Sequence, residues 1–168
     1  MNKKKLILMC GPAGSGKTTW VEEVASPGVS AHISRDRIRF NMIKPDDYYF
    51  AHEDEVYAEY CNQIVQALDS PWVREVYADA THLTSAARER VVRAASAAKS
   101  EFDVIAVIIR PSLQQCLDQN ALRSGRERVP EKVICNMYHS FSNPLCDKIE
   151  YKEIIYEGDK EILWEGTD

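Results

Sequence analysis

The sequence predicts an α/β fold in which a mainly parallel sheet is sandwiched between two layers of helices. Three observations carry this. Strand-like and helix-like segments alternate along the chain. A glycine-rich loop at residues 11–18 joins an apolar strand to a helix. The length, 168 residues, suits one domain and is too short for two ordinary ones. The whole of 1–168 is therefore expected to fold as a single domain.

Lys5 to Cys10 reads as a fully buried strand, and Gly16 to Ala25 as a helix stopped by Ser26-Pro27-Gly28. Val29 to Ile33 is a short second strand. Arg35 to Ile43 reads as a helix ending before Pro45. Asp46 to Leu68 is mostly helix, with Tyr57, Tyr60, Cys61, Ile64 and Leu68 on one face at three- and four-residue steps. Arg74 to Ala78 is the third strand. Ser85 to Ala98 is a helix capped by Thr84, with Ala87, Val91, Ala94 and Ala98 expected inside. Val104 to Ile109 reads as the most buried strand, followed by a helix carrying Leu113, Cys116 and Leu117. An Arg-rich stretch, within an expected helical lid at about 119–130, leads to a helix opened by Pro130 in its first turn. Ile149 to Tyr156 and Glu161 to Trp164 suggest a terminal β-hairpin at about 147–165.

Composition narrows the function. Hydrophobic residues make up 45% and charged residues 28%, which excludes disordered, collagen-like and coiled-coil chains. The formal charge of -5 excludes a generally basic protein that coats nucleic acid, but not a local basic patch. Lys3-Lys4-Lys5 before Leu6-Ile7-Leu8-Met9-Cys10 has the charge order of a signal peptide. Its apolar stretch falls short of the roughly 7–15 residues such a segment needs, so it reads as a strand of a cytoplasmic protein. The five cysteines are odd in number and widely spaced, with no C-x-x-C pair, as expected of reduced thiols.

Gly11-Pro12-Ala13-Gly14-Ser15-Gly16-Lys17-Thr18 matches G-x-x-x-x-G-K-[ST] at every fixed position. The glycines let backbone N–H groups turn inward onto phosphate oxygens, and the helix that follows adds its positive dipole end. Lys17 places a compact charge on the β/γ-phosphates, and Thr18 offers a hydroxyl to Mg²⁺. With Thr19, these residues form the expected nucleotide-binding set, and ATP the expected donor. An incidental glycine-rich turn would not need a strand before it and a helix after it. The chain has no N-K-x-D after a strand, as a GTPase would require, and only a weak acidic strand end of the motor type at Val76-Tyr77-Ala78-Asp79.

Three further segments fall at the same expected edge of the sheet, where ligands of open α/β folds bind. In Ser34-Arg35-Asp36-Arg37-Ile38-Arg39, Asp36 and Arg39 share a helix face. Asp36 can take the proton of an attacking hydroxyl, and Arg39 can grip an acceptor phosphate. The plainer alternative is a solvated first helical turn. In Asp79-Ala80-Thr81-His82, Asp79 can orient Asp36 or Arg39 or hold a water on the metal, and Thr81 can touch the acceptor; for His82 a structural role is the expectation. In Arg123-Ser124-Gly125-Arg126-Glu127-Arg128, a mobile arginine can close over the moving phosphoryl group, or the run is a solvated surface.

Together these segments, over roughly residues 5–145, resemble the kinase domain of the polynucleotide 5′-hydroxyl kinase family. The resemblance implies a P-loop NTPase fold with ATP and Mg²⁺ as cofactors. Lys17 and Thr18 would hold the donor and metal, Asp36 would be the general base, Arg39 the acceptor clamp and Arg123 the lid arginine. Asp79-Ala80-Thr81-His82-Leu83 matches the family's D-x-T-N/H-L element and makes Asp79 and Thr81 acceptor-side residues. One departure is plain: the first lid arginine falls on Gln119, in Gln119-Asn120-Ala121-Leu122-Arg123, and Arg126 is the expected substitute at the nucleotide. The leading expectation is an ATP-dependent kinase acting on the 5′-OH end of RNA or DNA. The alternatives are a kinase of a nucleoside, sugar acid or antibiotic, and an ATP-binding module without an acceptor.

Overall fold

The computed structural model describes residues 3–157. Five strands, β1 (Lys4–Cys10), β2 (Ser30–Ser34), β3 (Glu75–Asp79), β4 (Phe102–Ile109) and β5 (Tyr151–Glu157), form one sheet in the order β2-β3-β1-β4-β5. Every pairing is parallel. β1 lies in the middle, so its apolar run is covered on both faces, as parallel sheets require. Leu6, Leu8 and Cys10 enter one core and Ile7 and Met9 the other.

Six helices occur among the described residues: α1 (Lys17–Val24), α2 (Arg35–Met42), α3 (Glu53–Asp69), α4 (Ser85–Ala95), α5 (Leu113–Ala121) and α6 (Glu131–His139). Val56, Tyr60, Ile64 and Leu68 of α3 pack with Val91 and Ala95 of α4 against the first face. Trp20 and Val21 of α1 pack against the second, on Tyr77, Ile105 and Val107. The result is three layers, α/β/α. Parallel register brings the carboxyl ends of the strands to one edge. Ser34 pairs with Asp79 there, and β1 runs directly into the glycine loop.

Several expected boundaries move for physical reasons. The long helix starts at Glu53 rather than Asp46, because Glu53, Asp54 and Glu55 cluster where the helix dipole favours negative charge. Residues 44–51 instead form turns, with the Lys44 N–H bonded to Asp47 Oδ2 at 2.8 Å. Thr84 caps α4 as expected, accepting from the Ala87 N–H. Its buried face, however, is Arg88, Val91 and Ala95 rather than Ala87 and Ala94, while Ala98, beyond the helix, packs against the core as expected. Pro130 is the residue before α6 rather than part of its first turn. β5 is the first arm of the expected hairpin, and it pairs with β4; the second arm lies outside the described residues.

Candidate active site

The loop after β1 is shaped by close approach. A Cβ on Gly11 would sit 2.1 Å from the Ile109 carbonyl oxygen, and one on Gly14 would sit 2.4 Å from that of Cys116. Gly14 also has φ +78°, a left-handed conformation open to glycine at little cost. The Gly11 N–H donates to the Thr81 carbonyl at 2.9 Å, tying the loop to the end of β3. Thr81, expected beside the acceptor, is thus joined to the phosphate loop through its backbone. Lys17 opens α1 and is nearly buried; its Nζ donates to the Pro12 carbonyl at 2.8 Å and the Ser15 hydroxyl at 3.3 Å. Burial lowers the pKa of Lys17, while the carboxylates of Asp79 and then Asp36 pull it back up, and the charge of Arg123 pushes it down.

Thr18 donates its hydroxyl to Asp79 Oδ2 at 2.8 Å, and His32 Nε2 meets the same oxygen at 2.8 Å. Burial alone would raise the pKa of Asp79, but the His32 bond, the Lys17 charge and the Thr18 bond outweigh it and hold the carboxylate below its usual range. Asp79 therefore stands beside the loop hydroxyl of Thr18. Thr18 and Asp79 offer two hard oxygen donors. That suits Mg²⁺, which keeps several waters and draws its remaining ligands from substrate phosphates. No group of three or more His, Cys, Asp or Glu side chains suited to a metal occurs among the described residues, so no all-protein cage competes with this arrangement.

Asp36 sits in the first turn of α2, which Ser34 caps by accepting from the Arg37 N–H. Its Oδ1 accepts from Arg39 Nη1 and, at 2.9 Å, from the Tyr49 hydroxyl. The carboxylate is otherwise open, with a side chain 62% exposed. Arg39 is the opposite, only 5% exposed. Its Nη2 and Nε grip both oxygens of Glu53 at 2.8–3.2 Å, and Nη1 also donates to the Tyr49 hydroxyl at 2.9 Å. Arg39, expected as the acceptor clamp, donates here to Glu53, Asp36 and Tyr49. Glu53 also binds Arg35. Neither Tyr49 nor Glu53 was singled out in the sequence for this role. The spacing of 13 and 14 residues from their partners carries no periodic signal.

The stretch between α5 and α6, expected as the lid, is exposed and contains one 3₁₀ turn at Gly125–Glu127. Asn120, nearly buried, closes its base: its amide donates to the Val129 carbonyl at 2.7 Å and accepts from the Val129 N–H at 2.9 Å. Arg126 reaches away from the loop. Its Nη1 donates to the Lys44 carbonyl at 3.0 Å, and its guanidinium lies 5.4 Å from the Phe40 ring centre. Arg126, expected at the nucleotide, thus ties the stretch between α5 and α6 to the end of α2. Gln119 lines a cleft of about 400 Å³ with Ser15, Gly16, Thr19, Trp20 and Pro111. Thr19 is thus beside the loop, as expected.

Two residues near the site are structural. His82 is buried with φ +40°; Nδ1 bonds the Met9 carbonyl at 2.6 Å and Nε2 meets the Tyr60 hydroxyl at 3.2 Å. Arg88, fully buried, binds Asp147 at 2.6 Å together with the His82 and Ser142 carbonyls. It lines no channel.

A glycine loop of the phosphate-binding pattern feeding a parallel sheet, with acids at the carboxyl ends of the neighbouring strands, gives the chain a P-loop kinase-like fold. Residues 6–144 match the AAA domain family (AAA_33), and the chain belongs to it. No curated protein gives a significant sequence match. Among solved structures, the chain resembles one in an RNA repair complex, Pnkp1/Rnl/Hen1 (TM-score 0.68, 15% identity, covering 83% of this chain and 44% of that one). It also resembles a fungal RNA kinase (TM-score 0.62, 15% identity, 93% and 74%) and a gluconokinase from Sinorhizobium meliloti 1021 (TM-score 0.58, 15% identity, 94% and 84%). The chain spans less than half of the first of these proteins.

Proposed function

We propose that the protein is an ATP-dependent kinase that transfers the γ-phosphate to a hydroxyl, and that the hydroxyl is the 5′ end of RNA or DNA. The observation that carries the reading is the open carboxylate of Asp36, fixed by Arg39 and Tyr49 within electrostatic reach of Lys17. A phosphate-binding loop alone serves many chemistries. A positioned base opposite it serves transfer to an alcohol. The RNA repair complex and the fungal RNA kinase among the structural relatives favour a nucleic-acid acceptor over the sugar acid of the gluconokinase.

In this mechanism the loop backbone and Lys17 hold the β- and γ-phosphates, and the cleft at Thr19, Trp20 and Gln119 takes the donor's nucleoside. Thr18 and Asp79 would hold Mg²⁺, which would supply charge neutralisation at the phosphates. Asp36 accepts the proton of the acceptor hydroxyl through Oδ2, the oxygen with no hydrogen bond among the described residues. The hydroxyl oxygen bonds to the γ-phosphorus as the bond to the β-bridging oxygen breaks, and ADP leaves. Arg123 swings in from the lid to meet the charge on the moving group. Its five free cysteines and its use of ATP suit a cytoplasmic protein.

The test is transfer of labelled phosphate from ATP across oligonucleotide ends, nucleosides and sugar acids, with Asp36→Asn beside the parent. Loss of a general base lowers kcat by about 10²–10⁴ while ATP affinity is retained. Undiminished transfer by Asp36→Asn, or transfer to a sugar acid in preference to any 5′-OH end, would overturn the reading.

A further inference from the structure

Beside Asp36 lies a group of aromatic rings that phosphoryl transfer itself does not need. The rings of Tyr48 and Phe50 are 72% and 49% exposed. They are not scattered. Phe50 lies 5.8 Å from Tyr48 and 4.7 Å from Tyr49, centre to centre and edge to face, and Tyr49 packs on Phe40 at 6.1 Å. Single exposed apolar residues such as Trp72 need no explanation, but a contiguous cluster does.

This cluster is tethered to the candidate base. The Tyr49 hydroxyl holds Asp36 Oδ1 at 2.9 Å, and the Arg39 guanidinium sits 4.5 Å from the Tyr49 ring centre and 5.7 Å from that of Phe50. The Phe50 ring centre is therefore within roughly 10 Å of the Asp36 carboxylate, following Tyr49 from its hydroxyl across its ring. An acceptor whose hydroxyl rests on Asp36 carries its next chemical group into this space. A polyol acid would find little there: the neighbouring guanidinium of Arg39 is committed to Glu53 and Asp36. A flat heterocycle would find uncovered π surfaces, which accept any base because every base has a π face.

We propose that Phe50 and Tyr48 form a stacking surface for the base of the acceptor's first nucleotide. This rests on the reading of the acceptor as a 5′-hydroxyl end, and it adds that the terminal base, not only the phosphates behind it, is held.

The experiment compares Phe50→Ala and Phe50→Trp with the parent, using a 5′-OH oligonucleotide and the same strand with an abasic first nucleotide. Removing one stacking side chain is expected to raise the oligonucleotide KM about tenfold, with kcat and the KM for ATP unchanged. Phe50→Trp restores the parent KM. The abasic strand is expected to show the raised KM with the parent and no further rise with Phe50→Ala, since the two changes delete the same contact. Unchanged ATP parameters in Phe50→Ala establish that it is folded, and Tyr48→Ala provides a second variant expected to raise the same KM. Equal KM values for parent and both alanine variants on the normal strand, or equal use of abasic and normal ends by the parent, would overturn the stacking surface and leave the kinase reading intact. Failure of the parent to phosphorylate any 5′-OH end would overturn both.

Discussion

His82 shows how one side chain serves the loop and the core together. Asp79 and Thr81 must turn back toward the phosphate loop immediately after β3, and the chain does so through a left-handed residue at position 82. Histidine is among the few residues enriched there. Its ring then enters the core, donating from Nδ1 to the Met9 carbonyl and accepting at Nε2 from Tyr60. Only the neutral ring can do both. Burial pushes the His82 pKa down to about 4, while the unfolded chain titrates near the ordinary value of 6.5. Between those values the unfolded state binds the extra proton, so stability is present above pH 6.5 and lost as pH falls toward 4. The loss amounts to about 3 kcal/mol. Urea titrations of the parent between pH 7 and 4 should show this decline, and a His82→Asn variant, suited to the same backbone, should lack that slope. Tyr49 presents the complementary case at the acid itself. Tyr49→Phe keeps the ring and removes one of the two donors that aim Asp36. We expect kcat to drop about tenfold with the KM for ATP unchanged, the signature of a misaimed base rather than a damaged fold.

Among the elements, α4 diverges most from its sequence pattern. Periodicity treats arginine as polar and so turns Arg88 to solvent, which selects Ala87 and Ala94 as the inner face. The chain does the reverse because Asp147, 59 residues away, supplies a partner with no exposed side-chain surface of its own. Ser85 and Tyr151 also donate to Asp147, so α4 is bound to the segment entering β5. Nothing local in the sequence announces such a pairing. The same limit explains what was legible in the site. The glycine loop is contiguous, so it was readable in full. Asp36 and Asp79 were readable as neighbours because Asp36 follows β2 and Asp79 ends β3, and the carboxyl ends of a parallel sheet meet at one edge. His32 on Asp79 and Glu53 on Arg39 depend on contacts between elements and had no signal. The committed state of Arg39 and the latch made by Arg126 were hidden for that reason. Breaking a buried ion pair by removing one partner costs about 3–5 kcal/mol, because the other charge is left desolvated. Arg88→Ala should therefore lose about that much stability in urea. Burial pushes the Asp147 carboxyl up, but bonds from Arg88, Ser85 and Tyr151 hold it below the usual range. Its contribution to stability is thus present above the unfolded carboxylate value near 3.9 and lost as pH falls through the folded one. A loss in Arg88→Ala that stays within 1 kcal/mol of the parent would mean that the surrounding polar groups, not the ion pair, join α4 to β5.

At the scale of the whole molecule the charge is -5, a poor match for a long nucleic-acid track. Arginines nonetheless gather around α2. Arg35 and Arg39 share Glu53, Arg37 pairs with Glu22, and Arg90 lies 3.9 Å from the ring centre of Tyr57, whose other neighbour is Arg35 at 5.0 Å. Arg90 has no carboxylate partner among the described residues, so its charge is available to a passing phosphate. The general field of the molecule repels a polyanion, so on the proposed reading only the end of a strand is held. Affinity for a 5′-OH strand should therefore depend on few phosphates. Each neutralised phosphate of a single strand contributes about 0.7 to the slope of log KM against log salt. With one or two such contacts, the slope for an oligonucleotide acceptor should be roughly 0.7–1.4 and should not grow as the strand is lengthened beyond a few nucleotides. Arg90→Ala should reduce it, with transfer to an uncharged nucleoside unaffected. Steady-state kinetics across salt concentrations, for strands of increasing length, measures this directly. A slope that climbs with length would require an extended basic groove, which the acidic surface argues against; a slope of zero would mean that no acceptor phosphate is gripped at all.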